Sequence, residues 1–140
     1  FAEGGFLGDL PEEPDELLEV GKTKLQEGKV PAARQIFNRF LDRHADHDRA
    51  DEAQFHKAET FARQGNWKTA VFEYKKILDN YPNSQKTAAA TFEIGVGFME
   101  LGRCDHARNI LQSIIENHSG SRWEPKARQR VRTIDAGECQ

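Results

Sequence analysis

The residues best suited to metal chemistry stand together in one polar run, His44-Ala45-Asp46-His47-Asp48. Imidazole and carboxylate groups within one loop could share a Zn²⁺ or Ni²⁺ ion. Only two histidines are close in this run, however, and no third ligand is fixed by the spacing. We therefore interpret the run as a solvated loop between helices, and the sequence predicts neither a metal nor a cofactor.

Motifs for catalysis are missing from the sequence, which has no nucleophile elbow, phosphate loop, HExxH or CxxC. The adjacent carboxylates Asp51 and Glu52 fall at a predicted helix start, where the helix dipole alone accounts for acidic residues. The sequence thus predicts a protein that is not an enzyme and has no catalytic residues.

The two cysteines, Cys104 and Cys139, leave two interpretations open. Cys104 follows a predicted turn, at a position where a small buried hydrophobic residue fits. An antiparallel last helix would bring Cys139 close to the start of the helix that begins at Cys104. A disulfide there would imply an oxidising compartment such as the periplasm. The alternative is a pair of free thiols.

An internal repeat in the sequence predicts the helices that hold these residues in place. The glycines Gly28, Gly65 and Gly102 are spaced 37 residues apart, and small residues recur at the same interval both before and after them. Each copy has a helical pattern on either side of its glycine, which predicts two antiparallel helices joined by a tight turn. Because a lone helical pair cannot bury its apolar face, the copies are expected to stack on one another.

The order of small residue, aromatic residue, turn glycine, small residue, aromatic residue and terminal proline resembles the tetratricopeptide repeat (TPR). The second copy opens with Ala53-Gln54-Phe55 and closes with Asn80-Tyr81-Pro82-Asn83-Ser84. This long-loop form is similar to the C-terminal TPR domain of the Tol-Pal system protein YbgF (CpoB) family and to the TPR lipoproteins of outer-membrane assembly. The resemblance covers about Asp15 to Ile134. In the first and third copies the loop sequences differ from Tyr81-Pro82-Asn83.

The resemblance implies an all-α fold, namely a right-handed superhelical solenoid of three TPR hairpins and a C-terminal capping helix. We expect an acidic lead-in at residues 1–14, repeats at about 15–48, 49–85 and 86–121, a cap helix at 122–134 and a tail at 135–140. The lead-in contains three glycines and two prolines and is predicted to be irregular or disordered.

Charge is unevenly distributed along a chain whose net charge is −3. Residues 1–19 hold seven acids and no base, while six bases crowd the C-terminal part. We interpret both runs as solvated faces, with attraction to each other or to an oppositely charged partner as the alternative. Nucleic acid is not expected as a partner, because the aromatic residues fall at packing positions and not among the arginines.

In TPR arrays the first helix of each hairpin lines the inside of the superhelix, so the resemblance implies a groove there. Phe55 and Phe92 have two interpretations, as anchors for a partner segment or as packing between repeats. Carried over by register, the candidate partner-binding residues are Leu18, Lys22, Leu25, Phe55, Glu59, Arg63, Phe92, Val96 and Met99.

These observations predict a non-enzymatic scaffold that binds a protein partner, as a peptide or helix, in the groove. The resemblance implies a role in bacterial envelope organisation of the Tol-Pal or outer-membrane assembly type. The alternative is a structural or oligomerisation module whose acidic N-terminal segment occupies its own or a neighbour's groove. We expect a periplasmic or envelope-associated location, with the cytoplasm as the alternative. No apolar run is long enough to span a membrane, so membrane association would require a partner or an anchor missing before Phe1.

Overall fold

A computed structural model describes residues 9–139 and shows seven α-helices and no strand within them. Residues 1–8, which make up most of the predicted lead-in, lie outside the described residues. In chain order the helices are α1 (Pro14–Gln26), α2 (Val30–Arg43), α3 (Ala50–Arg63), α4 (Trp67–Asn80), α5 (Thr87–Glu100), α6 (Cys104–Asn117) and α7 (Trp123–Asp135).

Each helix packs mainly against the helices that precede and follow it in the chain. The pairs α1/α2, α3/α4 and α5/α6 form three hairpins, and α7 packs where the first helix of a fourth hairpin would lie. Helices α1 and α3, and likewise α5 and α7, contact each other more extensively than any two even-numbered helices do. The odd-numbered helices therefore lie on the inner side of the array. The predicted all-α solenoid of three hairpins and a capping helix is confirmed.

The repeating glycines end the first helix of each hairpin in the left-handed conformation. Gly65, for example, has a φ of 75°, which costs glycine nothing because it lacks a Cβ atom. The following N–H, that of Asn66, donates to the carbonyl of Phe61 at 2.9 Å and so closes the turn. The same backbone hydrogen bond joins Lys29 to Lys24 and Arg103 to Phe98.

Small residues within the first helix of each hairpin allow the two helices to lie close together. A Cβ atom on Gly95 would come within 2.7 Å of Leu111 Cδ2, and one on Gly21 within 2.7 Å of Phe37 Cε1. Leu111 and Phe37 are both completely buried. Larger side chains at the glycine positions would therefore force the helices apart.

The apolar core consists of three clusters, and each cluster includes side chains from the next hairpin or the cap. Phe37 and Phe40 of the first hairpin pack against Ala53 of α3. The third cluster is completed by Ala127 and Val131 of α7. Each hairpin thus gains the burial that it lacks alone from its neighbour, as expected of a stacked array.

The C-terminal end of the chain is attached to the last hairpin. The structure joins Cys104, at the start of α6, to Cys139 in a disulfide with the two Cα atoms 5.9 Å apart. Beside it, Arg108 of α6 pairs with Asp135 of α7 at 2.7 Å. Of the two interpretations of the cysteines, the structure therefore has the covalent pair.

Candidate functional site

The side chains of His44 and His47 make contacts that hold their loop against the helices. Both imidazole rings pack edge-on against Phe40, with centroid separations of 5.5 and 5.6 Å. The N–H of Arg49 donates to His47 Nδ1 at 3.0 Å. Within residues 9–139 no group of three or more histidine, cysteine or acidic side chains could hold a metal ion. The same part of the chain has no helix long and apolar enough to cross a lipid bilayer.

Four of the nine predicted partner-binding residues are buried. Leu18 and Leu25 are 0% and 3% exposed, and Phe92 and Val96 are 6% and 7% exposed. Register alone placed these residues on the inner side, but α3 covers the side chains of α1 and α7 covers those of α5. The structure thus corrects the prediction at these four positions, because their side chains are almost completely covered. Met99 is half-buried and packs against the third cluster.

The two aromatic positions make contacts within the array. Phe55 packs edge-to-face on Tyr74 of α4, with ring centroids 5.3 Å apart. Phe92 packs on Trp123 of α7 at 5.3 Å. Packing between elements therefore accounts for Phe92, whereas Phe55 stays half-exposed on the inner side.

Four predicted residues do meet in a cleft of about 160 Å³ between α1 and α3. Its lining consists of Lys22, Leu25, Glu59 and Arg63, together with Gln26 and His56. Arg63 bridges the two helices, because its guanidinium donates to the Leu25 carbonyl at 3.0 Å and to Glu59 at 2.9 Å. His56 Nδ1 lies 3.0 Å from the other oxygen of Glu59. Burial opposes ionisation of Glu59, but His56 and Arg63 outweigh it and lower the pKa of its carboxyl.

The neighbouring charges of α1 and α3 compensate one another. Lys22 Nζ lies 2.8 Å from Glu52, and Arg49 binds both Glu52 at 3.0 Å and Glu19 at 2.7 Å. Burial opposes ionisation of Glu52, yet the hydrogen bonds from Arg49 and Lys22 lower the pKa of its carboxyl to about 2. This half of the inner side therefore presents little net charge to a partner.

The other half of the inner side is basic. Four cations lie over aromatic rings there. Lys86 lies over Phe55 at 5.1 Å, Lys126 over Trp123 at 4.7 Å and Arg130 over Phe92 at 5.8 Å. Arg122 lies over the Trp123 ring as well, at 5.1 Å. Within residues 9–139 none of these cations forms an ion pair with a carboxylate. We call Lys86, Lys126 and Arg130 the basic strip.

Glu93 of α5 carries a half-buried carboxyl that interacts with two members of the basic strip, Arg130 and Lys126. Burial and the neighbouring carboxylate of Glu59 raise the pKa of Glu93, and Arg130 and Lys126 oppose this shift only in part. Within residues 9–139, Glu93 forms no ion pair with either cation.

The basic strip was not among the predicted site residues. Its members in α7 were missed because the repeat register is lost there, with Arg132 at the position of the small residue. The available signal was the concentration of six bases near the C-terminus, which the sequence interpretation assigned first to a solvated face.

Comparison with protein families supports the interpretation of the chain as a TPR protein. Residues 18–85, which include most of α1 and all of α2, α3 and α4, match the family model for the tetratricopeptide repeat. The curated proteins include no match to the chain. Tetratricopeptide repeats generally mediate protein–protein interaction and typically serve as non-enzymatic scaffolds.

Proposed function

We propose that this protein is a non-enzymatic scaffold that binds a segment of a partner protein along the inner side of the array. The observation that carries the proposal is the basic strip, in which three cations lie over aromatic rings and form no ion pair with a carboxylate of residues 9–139. A partner segment with acidic side chains would supply the missing charges, and its apolar groups would contact the half-exposed rings of Phe55 and Trp123.

The helices hold the strip in place before a partner arrives. Trp123 packs on Phe92, and Phe55 packs on the buried Tyr74, so the rings beneath the cations are fixed by the core. A surface that is already ordered loses little conformational entropy when it binds. The cleft at Lys22, Glu59 and Arg63 would accept the other end of the segment through polar contacts.

We also propose where in the cell the protein acts. The sequence resembles the Tol-Pal system and outer-membrane assembly TPR proteins, and the Cys104–Cys139 disulfide is typical of oxidising compartments. Both features support a periplasmic, envelope-associated scaffold in bacterial envelope organisation. Contact with a membrane would then be made through the partner.

Charge reversal on the basic strip tests the proposal. We expect Lys126→Glu/Arg130→Glu to reduce capture of partner proteins from a periplasmic extract at least about tenfold, which corresponds to about 1.4 kcal/mol. Arg132→Glu is the matched control, because Arg132 is exposed on the same helix and outside the strip. Thermal unfolding of each variant by circular dichroism checks the fold. Equal capture by both variants would argue against binding along the inner side.

A further inference from the structure

A second surface lies on the opposite side of the array, between α4 and α6. Two adjoining hollows of about 300 and 350 Å³ share Val71 and Phe98 in their linings. Their other apolar lining residues are Leu78, Ile94, Leu101 and Ile110. Because the hollows adjoin at Val71 and Phe98, we consider them together and call them the outer groove.

The outer groove is apolar at its floor and basic at its rim. Its rim carries Lys68, Lys75, Arg103 and His106, and no acidic residue lines either hollow. Lys68, Lys75 and Arg103 are exposed and form no ion pair with any residue of 9–139. Leu101, at one end, is 42% exposed although it is a large apolar residue. The surface thus fits an acidic segment that also carries apolar side chains.

The floor of the groove forms where α5 lies close to α4. A Cβ atom on Gly97 would collide with Val71 and would approach Trp67 Cε3 to 3.3 Å. The absence of a side chain at Gly97 therefore sets the depth at which Ile94 and Phe98 of α5 form the floor. An occupant would meet a preformed surface.

The chain itself contains a segment of the required chemistry. Residues 1–19 carry seven acids and no base, and they include the apolar residues Phe6 and Leu7. Of the described acids in this segment, Glu12, Glu13 and Glu16 are exposed around the start of α1. Helix α1 packs against α2 and α3 and holds these carboxylates at the first hairpin. They thus belong to a different hairpin from the helices that form the outer groove, and we expect them to approach the groove of another copy.

We propose that the acidic N-terminal segment of a second copy, residues 1–16, binds in the outer groove of the first. Its carboxylates would face Lys68, Lys75 and Arg103, and its apolar residues would cover the floor. The two surfaces differ, so the contact is head-to-tail and extends to further copies unless the rotation closes a ring. This association goes beyond the proposed scaffold function and leaves the inner side of every copy free.

A charge-swap experiment on the full chain tests the proposal by sedimentation velocity over a range of concentrations. We expect the unaltered chain to associate reversibly as concentration rises. Lys75→Glu/Arg103→Glu in the groove, and separately Glu12→Lys/Glu16→Lys in the segment, should each weaken association at least about tenfold. All four side chains carry charges on exposed positions, so the variants are expected to fold. Arg132→Glu, which lines neither hollow and lies outside the acidic segment, should associate as the unaltered chain does.

The decisive measurement combines the two reversals. A chain with both pairs of substitutions should associate again, because opposite charges face each other once more. The proposal is overturned if the unaltered chain remains a monomer up to about 1 mM, if the groove variant associates normally, or if the combined chain fails to recover. Sedimentation measures self-association directly and involves no partner protein. A negative result would therefore not argue against partner binding along the inner side.

Discussion

Removal of the Cys104–Cys139 disulfide is expected to loosen the C-terminal cap while leaving the first hairpin unchanged. The bond closes a loop that spans 35 positions, and loop-closure entropy alone gives it about 4 kcal/mol as an upper value. The Arg108–Asp135 pair cannot replace it, because both side chains are about half exposed and water screens the attraction between exposed charges.

The loss should be local because an array of hairpins opens from its ends. Without the disulfide, α7 is held mainly by Ala127, Val131 and Trp123 against the third cluster. We expect Cys104→Ala/Cys139→Ala to accelerate amide hydrogen exchange in α7 by up to about 1,000-fold, which is the equivalent of 4 kcal/mol. Exchange in α1 and α2, two hairpins away, should not change.

Two measurements check this reasoning, and each has a refuting result. Hydrogen exchange followed by mass spectrometry compares the oxidised chain with the double variant, helix by helix. Reduction of the unaltered chain provides a control without substitution and should reproduce the effect. If alkylation detects two free thiols in the oxidised native protein, or if α7 exchanges equally in all three samples, the bond does not hold the cap.

Three further predictions concern single side chains. Glu52→Gln should cost about 1 kcal/mol of unfolding free energy at pH 7. The shift of its pKa from 4.5 to about 2 corresponds to about 3 kcal/mol, and the partial exposure of its partners reduces this value. The difference in unfolding free energy between Glu52→Gln and the unaltered chain should vanish between about pH 4.5 and 2, as Glu52 is protonated. Denaturant titrations that give the same difference at every pH would contradict this. Glu93→Gln should act in the opposite direction and stabilise the protein at neutral pH, because a raised pKa marks a charge that folding disfavours. The gain in unfolding free energy should disappear in acid, and a destabilised variant at pH 7 would refute the prediction. Gly95→Ala should lower the unfolding free energy by about 1 kcal/mol or more, since the overlap of the new Cβ atom with buried Leu111 outweighs the better helix propensity of alanine. A higher melting temperature of the variant would show that Leu111 can move aside.

The hairpins could be predicted from the sequence because their signals are local. A glycine that must adopt a positive φ is required wherever the first helix of a hairpin ends, and Gly28, Gly65 and Gly102 repeat at one interval. The helix ends follow from these turns and from the loops between copies. The stacking then follows from the need of each hairpin to bury its apolar face.

The composition of the inner side could not be predicted in the same way. Register places Leu18 and Phe92 on the inner helices, but exposure depends on how closely the next inner helix approaches, which is a tertiary property. The basic strip depends on α7, where the repeat register is lost. The outer groove is built from three helices of two hairpins, and only the structure brings Val71, Phe98 and Ile110 together.

The most direct test of the scaffold proposal is to map which side of the array touches a partner in the cell. A photoreactive amino acid can be placed at Gln26 and at Gln129, which are exposed on the inner helices α1 and α7, and at Gln35, which is exposed on the outer helix α2. We predict that, after irradiation, the same partner is cross-linked at both inner positions and is not cross-linked at Gln35. Cross-links from Gln35 alone, or none from either inner position, would contradict it.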